Sequence, residues 1–270
     1  MPNNTPRVAI LLLGYNDKEN LADAITSVEK QTYPEFDIVY LDNGSSDGSA
    51  DFVKKNFPNV KIIQEKNLGY AGTYAKYLPS FFAQDYVAAI LLNTDVVVAE
   101  NWLANLVLTA FEDSQIASAQ PKIYLWENGQ TDRINSFGNP VNFLGLGYCG
   151  QAGQKDRGQL DQKTDLFYAS GCCLLIKKTA FETIGNLDAD FFMYLEDQDW
   201  GARARLLGMK NILCPQSKMW HKYQFQKNPQ NKQKFFYLER NRLFFIFKNY
   251  SFKLWLLILQ IGRASCRERV

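Results

Sequence analysis

The residues best suited to chemistry in this sequence fall into two acidic clusters and one histidine. Asn93-Thr94-Asp95 closes the apolar run Val87–Leu92, Glu196-Asp197-Gln198-Asp199 opens a helix-like stretch, and His221, the only histidine, follows shortly after. A carboxylate has no packing use at the end of an apolar run unless the strand stops at a polar cleft, where ligands of open α/β sheets collect. Carboxylates so placed hold cations or move protons. With the histidine, the set reads as a site for metal-assisted transfer, and Asp95 is placed for chemistry rather than packing.

The elements that must position these residues are legible from periodicity. Val8–Leu13 reads as a strand, followed by Leu21, Ala24, Ile25 and Val28 at helical spacing, with Asn16 as N-cap and Glu19 three residues later. Strands are then expected at Phe36–Leu41, Val60–Ile63 and Val87–Leu92, with helices at Phe52-Val53, Ala71–Phe82 and Asn101–Phe111. Such alternation predicts a largely parallel, doubly covered sheet. Beyond it, Trp126-Glu127-Asn128-Gly129-Gln130 predicts a hairpin turn in an antiparallel part. Residues 139–166, rich in Gly, Gln and Asp, read as a functional loop or lid. A strand at Phe167–Ile176, a short helix capped by Thr179 and ended by Gly185, and a helix at Asp197–Leu207 ended by Gly208 complete this part.

At 270 residues and 46% apolar, the chain can build one substantial core, and a formal charge of +2 gives no field for nucleic acid. Five cysteines without a C-x-x-C pair suit neither a disulfide framework nor a structural zinc site, so adjacent Cys172 and Cys173 read as ordinary strand residues of a reducing compartment. The polar start, Met1–Arg7, lacks the apolar core of a secretory signal, and cytoplasmic residence is expected. Lys232–Lys248 reads as an aromatic, basic helix, and Phe252–Ile261 as a second apolar segment of about half a membrane span. The basic string Gly262–Val270 resembles translated sequencing-adapter sequence; the native chain is expected to continue with apolar helix instead.

Asp42, at the end of the second strand, leads into Asn43-Gly44-Ser45-Ser46-Asp47-Gly48-Ser49, a turn whose backbone amides can approach a ligand. Its carboxylate suits the N3–H of uracil or thymine, a donor that neutral cytosine lacks; an Asx-turn cluster explains the same residues equally well.

Several strings in order resemble family 2 glycosyltransferases, in particular their bacterial rhamnosyltransferase-like branch. They are Gly14-Tyr15-Asn16, the Val39–Ser49 string, Asn67-Leu68-Gly69-Tyr70-Ala71-Gly72, Leu92-Asn93-Thr94-Asp95, Gly171 with its apolar run, and Phe191–Asp199. The resemblance covers residues 7–248. It implies an α/β GT-A fold: a Rossmann-like, mostly parallel sheet with an antiparallel acceptor-side extension and C-terminal helices. It also implies an inverting mechanism on a nucleotide-diphosphate sugar.

Carried over residue by residue, the resemblance makes Tyr15 and Asp42 nucleobase contacts. Asn67, Gly69 and Gly72 then belong to a donor loop beside the ribose and diphosphate, and Asp95 is the metal-binding carboxylate. Asn93 stands where many relatives have the first Asp of Asp-x-Asp, and offers a neutral oxygen. Hard oxygen ligands with substrate phosphates favour Mg2+ or Mn2+. His221 resembles a further metal ligand, although a lone histidine among aromatic residues is otherwise a structural one. Asp197 is the expected general base, since direct displacement needs one carboxylate on the acceptor side. Glu196 and Asp199 are expected to raise its pKa by repulsion, and equally suit an acidic first helical turn. Arg240-Asn241-Arg242 resembles a C-terminal family string, with Arg240 and Arg242 directed to donor phosphates or a membrane surface.

A dinucleotide oxidoreductase would need G-x-G-x-x-G after the first strand, where this chain has Leu13-Gly14-Tyr15-Asn16-Asp17. The stronger rival is a non-catalytic protein of the same fold that binds a sugar nucleotide or a partner enzyme, for which only Asn93 speaks. The expectation is therefore an inverting transfer of a sugar such as rhamnose from a UDP- or dTDP-sugar to a glycan or lipid-linked glycan, in bacterial surface polysaccharide synthesis. Residues 1–100 would form the nucleotide-sugar half, 101–225 the acceptor and catalytic half, and 226–261 helices in peripheral contact with the inner face of the membrane.

Overall fold

Alternate residues of the first apolar run enter two different cores, which makes it a central strand. In β1 (Val8–Gly14), Val8, Ile10 and Leu12 face one core while Ala9 and Leu11 face the other. A strand covered on both faces needs a continuous apolar run. β4 (Ala88–Asn93) repeats the arrangement, with Ala88, Ile90 and Leu92 on one side and Ala89 and Leu91 on the other. These elements belong to a computed structural model that describes residues 5–222 and 232–258.

Between β1 and β4 lie α1 (Lys18–Glu29), β2 (Phe36–Asp42), α2 (Ser49–Asn56), β3 (Lys61–Gln64) and α3 (Gly69–Phe82). β2 and β4 flank β1 in parallel, and β3 extends that parallel edge. Then follow β5 (Val96–Val98), α4 (Trp102–Phe111), β6 (Ile116–Trp126), β7 (Gln130–Ser136), β8 (Thr164–Leu166), β9 (Cys173–Lys177) and α5 (Lys178–Ile184). After these come α6 (Glu196–Leu206), β10 (Lys210–His221) and α7 (Lys232–Asn249). The sheet order is β3-β2-β1-β4-β9-β6-β10-β5, with β7 beside β6 and β8 beside β10. β9 joins β4 and β6 antiparallel, and β5 and β8 pair antiparallel with β10, so a parallel first half continues into a mixed second half. α1 and α4 cover one face; α3, α5 and α6 cover the other.

Three local expectations are corrected. Asn16 is not the N-cap of α1: it lies at φ 51° and its Oδ1 accepts from the Ser46 amide at 2.7 Å, leaving Asp17 at the cap. Thr179 does not cap α5, which starts at Lys178 directly off β9; the Thr179 carbonyl accepts from the Thr183 hydroxyl. The run Phe167–Ile176 is not one strand. The amides of Ser170 and Gly171 donate to the side chains of Gln120 and Asp197, at 2.8 Å each, instead of joining a ladder.

The segment expected as a loop contains only the short β8 and isolated bridges, and is tied to the sheet by charge. Lys122, 1% exposed, pairs with Asp156 at 3.1 Å and Asp161 at 2.5 Å, and the Tyr124 hydroxyl donates to Asp156 at 2.6 Å. Cys149, Cys172, Cys173 and Cys214 are free thiols. Residues 252–258 are helical; the rest of the expected second segment and the string 262–270 lie outside the described residues. Among the described residues no helix is long and apolar enough to cross a membrane.

The two-core arrangement makes a direct prediction. Leu91→Ala, at a fully buried position, lowers stability by about 3 kcal/mol. Leu108→Ala, on the open face of α4, changes it by less than about 0.5 kcal/mol. Urea unfolding of both variants measures the contrast.

Candidate active site

Parallel pairing brings three strand ends level. Gly14 stands opposite Asp42, and Leu13 opposite Asn93, so the loops after β1, β2 and β4 open on one edge, the place where an open sheet binds ligands. Tyr15 is exposed there, and Asp42, at the end of β2, is 2% exposed, with Oδ1 accepting from the Ser45 amide at 3.1 Å. Asn43, passed over in the sequence, locks the β2 loop to the Asn67–Gly72 string. Its Oδ1 accepts from the Leu68 amide at 2.9 Å and the Thr73 hydroxyl at 2.8 Å. Asn67 accepts from the Gly69 amide at 2.9 Å, closing the turn into α3, where Gly72 occupies the first helical turn. Gly69 has φ +73°, and a Cβ there would stand 2.3 Å from the Phe192 carbonyl oxygen, so only glycine lets this string meet the segment before α6.

α6 begins at Glu196, directly after a turn with Leu195 in the left-handed region. Asp197, half-buried, accepts from the Gly171 amide through Oδ2 and from the Gln198 amide through Oδ1, both at 2.8 Å. Gly171 is in turn fixed by the Tyr70 hydroxyl, which donates to its carbonyl at 2.5 Å. A Cβ on Gly171 would lie 3.0 Å from that hydroxyl and 3.4 Å from Asp197 Oδ2, so the glycine permits the close approach. Burial pushes the Asp197 pKa above the ordinary 3.8, although its backbone hydrogen bonds pull the other way. Glu196 is 5% exposed, and among the described residues its Oε2 has no hydrogen-bond partner. Burial, then the charge of Asp197, hold its pKa well above the ordinary 4.5.

Asp199 does not press on Asp197 as expected. It is fully buried and turned toward α7, where Arg203 and Lys248 meet Oδ2 at 3.0 Å and Asn249 donates to Oδ1 at 3.0 Å. Two cations neutralise it, and burial rather than a third carboxylate sets the Asp197 shift.

At the other end, β10 runs antiparallel to β5 and delivers His221 beside Asp95. His221 Nε2 lies 3.1 Å from Asp95 Oδ2, while Nδ1 lies 3.0 Å from Asn135 Oδ1 on β7. Burial works against the charged imidazole, but Cys172 and Asp95 outweigh it and hold its pKa well above 6.5. Burial likewise pushes Asp95 up, yet the charge and hydrogen bond of His221 hold it below 3.8. Asn93 joins the group through a side-chain hydrogen bond to Asp95, and Thr94 donates to Asp17 Oδ2 at 2.6 Å. Among the described residues no three His, Cys, Asp or Glu side chains gather into a metal cluster. The pair able to hold a divalent cation is Asp95 with His221, whose other nitrogen is already oriented by Asn135.

The two ends communicate over a short path. Asp197 binds the Gly171 amide, and the next residue, Cys172, accepts from the Asn93 amide at 3.1 Å. Arg240 and Arg242 are held by backbone carbonyls and by Glu239. Arg240 donates to the Asp190 and Phe191 carbonyls at 2.8 and 2.7 Å, and Arg242 to Glu239 at 2.7 Å and the Leu144 carbonyl at 3.2 Å. Asn43, Asn135, Asp17 and Asn241 are the polar residues that sequence reasoning missed. Asn43 and Asn241 sit inside strings already singled out, whereas Asn135 and Asp17 carry no pattern of their own.

The model of glycosyl transferase family 2 matches residues 10–185. The chain is 24% identical over 244 residues to the N-acetylglucosaminyl-diphospho-decaprenol L-rhamnosyltransferase of Mycobacterium tuberculosis, covering 80% of this chain and 76% of that protein. It is 25% identical over 146 residues to glycosyltransferase AglE of Haloferax volcanii, covering 52% of this chain and 47% of that protein. GalNAc-T7 solved with UDP, GalNAc and Mn2+ is similar in fold, with a TM-score of 0.66 at 19% identity over 82% of this chain. Mannosyltransferase PcManGT from Pyrobaculum calidifontis, solved with GDP-Man and Mn2+, gives 0.58 at 16% identity over 82% of this chain. The chain spans 45% and 58% of the lengths of those two structures. With the greater part of its length matched by the family model and its sheet shared with these structures, the chain belongs to glycosyl transferase family 2 and is a GT-A-fold glycosyltransferase.

Proposed function

We propose that this glycosyltransferase moves a sugar, rhamnose in the reading favoured here, from a UDP- or dTDP-sugar to a hydroxyl of a glycan or lipid-linked glycan, with inversion. The observation that carries the reading is the linkage of a half-buried carboxylate, Asp197, through Gly171 and Cys172 to the Asn93-Thr94-Asp95 strand end and its partner His221. One end suits proton removal, the other a diphosphate.

In this mechanism the acceptor hydroxyl oxygen bonds to the anomeric carbon as the bond to the nucleoside diphosphate breaks, and Asp197 takes the hydroxyl proton. The Gly171 and Gln198 amides aim its two oxygens, and burial makes it a stronger base than a solvated carboxylate. Tyr15 and Asp42 hold the nucleobase, and the Asn67–Gly72 loop lies along the ribose and diphosphate with Asn93. Asp95 and His221 would hold Mg2+ or Mn2+, which supplies positive charge to the departing diphosphate. Residues 1–100 thus act on the donor, and residues 101–225 carry the base for the acceptor and lend His221 to the donor metal.

The name of the mycobacterial relative supports rhamnose and a lipid-linked acceptor. α7 and the helical turns after it expose Phe235, Phe236, Phe247 and Phe252 on a helix that also carries Lys and Arg, a composition suited to peripheral contact with an anionic membrane. Work at the inner face of a bacterial membrane, on a surface polysaccharide, fits both features.

Calorimetric titration with UDP, dTDP and CDP, each with and without Mn2+, tests the donor side. Metal-enhanced binding of UDP or dTDP with CDP rejected is the expected result. Loss of that discrimination in the native chain removes Asp42 as a base reader. In a sugar-nucleotide panel, Asp197→Asn lowers kcat by about 10² to 10⁴ with UDP or dTDP affinity retained. Full turnover by that variant moves the base elsewhere, and no turnover by the native chain favours the non-catalytic protein.

The pH dependence has a definite sign. Transfer requires Asp197 ionised, and its pKa is raised, so kcat rises with pH through a midpoint above the ordinary 3.8. Glu196, Tyr70, Tyr168 and Cys149 stand nearby with pKa values raised by burial. A kcat profile whose acid limb falls at or below 3.8 contradicts Asp197 as the base.

A further inference from the structure

We propose that Asn241 is a positioning residue, acting with Arg240 to fix the turn that presents the general base; the proposal rests on the reading of Asp197 given above. The turn Phe191–Leu195 immediately precedes α6 and contains three non-glycine residues at positive φ, Phe192 at 61°, Tyr194 at 71° and Leu195 at 68°. Such residues are strained and persist only where their surroundings over-determine them.

Asn241 is what over-determines this turn. It is fully buried, and its Nδ2 donates to the carbonyls of Phe191 at 2.8 Å, Met193 at 2.8 Å and Tyr194 at 2.7 Å. Its Oδ1 accepts from Arg240 Nε at 2.9 Å, which fixes which end of the amide faces the carbonyls. Arg240 then closes the adjoining carbonyls of Asp190 and Phe191. The remaining carbonyls of the turn go to the catalytic edge: Phe192 accepts from the Ala71 amide at 3.0 Å, and Leu195 from the Asp199 amide at 2.9 Å. One side chain of α7 therefore holds a strained hinge between the donor loop and the first turn of α6. An apolar residue in its place would take the Asn241 amide away from the Met193 and Tyr194 carbonyls, and would leave Phe191 to Arg240 and the Met193 amide.

The test uses the full chain carrying Asn241→Leu, with Arg240→Met as a milder second variant should the first not fold. By hydrogen exchange, amides of residues 192–199 and Ala71 are expected to exchange at least about tenfold faster, with β1, β4 and residues 243–249 of α7 unchanged. In turnover, kcat falls about 10²-fold while UDP affinity moves less than about threefold. The double variant Asp197→Asn/Asn241→Leu is expected to lose no more than about threefold beyond Asp197→Asn alone, since both act on one event.

Unchanged exchange at 192–199 overturns the proposal, as does a rate loss that multiplies with that of Asp197→Asn. Loss of protection throughout α7 also overturns it, because the residue would then merely anchor the helix. Absence of turnover in the native chain refutes the reading of Asp197 but leaves the exchange result to decide the role of Asn241.

Discussion

β1 and β4 are covered on both faces, and nothing polar can be placed along them without a partner. Polar chemistry is therefore pushed to the strand ends, where parallel register brings Gly14, Asp42 and Asn93 level. The same constraint explains why the loops there are built from Asn, Ser, Asp and Gly. Their side chains close the turns locally, as Asn16 does with Ser45 and Ser46, and Asn43 with Leu68 and Thr73. The core thus determines where a donor can lie, and the loop hydrogen bonds determine its shape.

Three carboxylates share the first turn of α6, and their environments separate them. Asp199 is fully buried but meets Arg203 and Lys248, and removing either partner of such a pair would leave an uncompensated buried charge. Among the described residues Glu196 forms no salt bridge, and burial, then the charge of Asp197, hold its pKa well above 4.5. Asp197 lies between these extremes. Two backbone amides support its charge while burial opposes it, so it ionises and still binds a proton well. Identical chemistry within four residues is divided among structure, neutrality and basicity by what each side chain faces.

The elements built on periodicity were legible in the sequence, because alternating or helical burial leaves a trace in neighbouring residues. Val8–Leu13 and Ala71–Phe82 are of this kind, whereas α6 was legible from the Gly208 that ends it. The hairpin closed near Asn128 was legible from its turn residues instead. Elements set by distant side chains were not. The break at Ser170–Gly171 depends on Gln120 and Asp197, and the orientation of His221 depends on Asn135 across 86 positions of chain. Asn16 and Thr179 have the composition of helix caps, but tertiary partners claim one and a strand running straight into its helix bypasses the other. In the Arg240-Asn241-Arg242 string, whose resemblance to the family points to the two arginines, the neutral middle residue is the fully buried one and binds three carbonyls.

α7 shows why charge alone misleads. Its composition is that of a surface helix, and Phe235, Phe236 and Phe247 are indeed exposed. Its opposite edge buries Asn241, Phe245 and Ile246. There Ile246 meets Gly145 of the long loop, and Lys248 reaches Asp188 and Asp199. Detaching that edge would strand three backbone carbonyls and leave Asp199 with Arg203 alone, penalties of about 1–3 kcal/mol for each unpaired group. A helix held by polar bonds to the turn before Asp197 cannot shift without moving that turn. Any surface that engages its aromatic face therefore pulls on a rigid lever attached to α6, rather than on a loose tether.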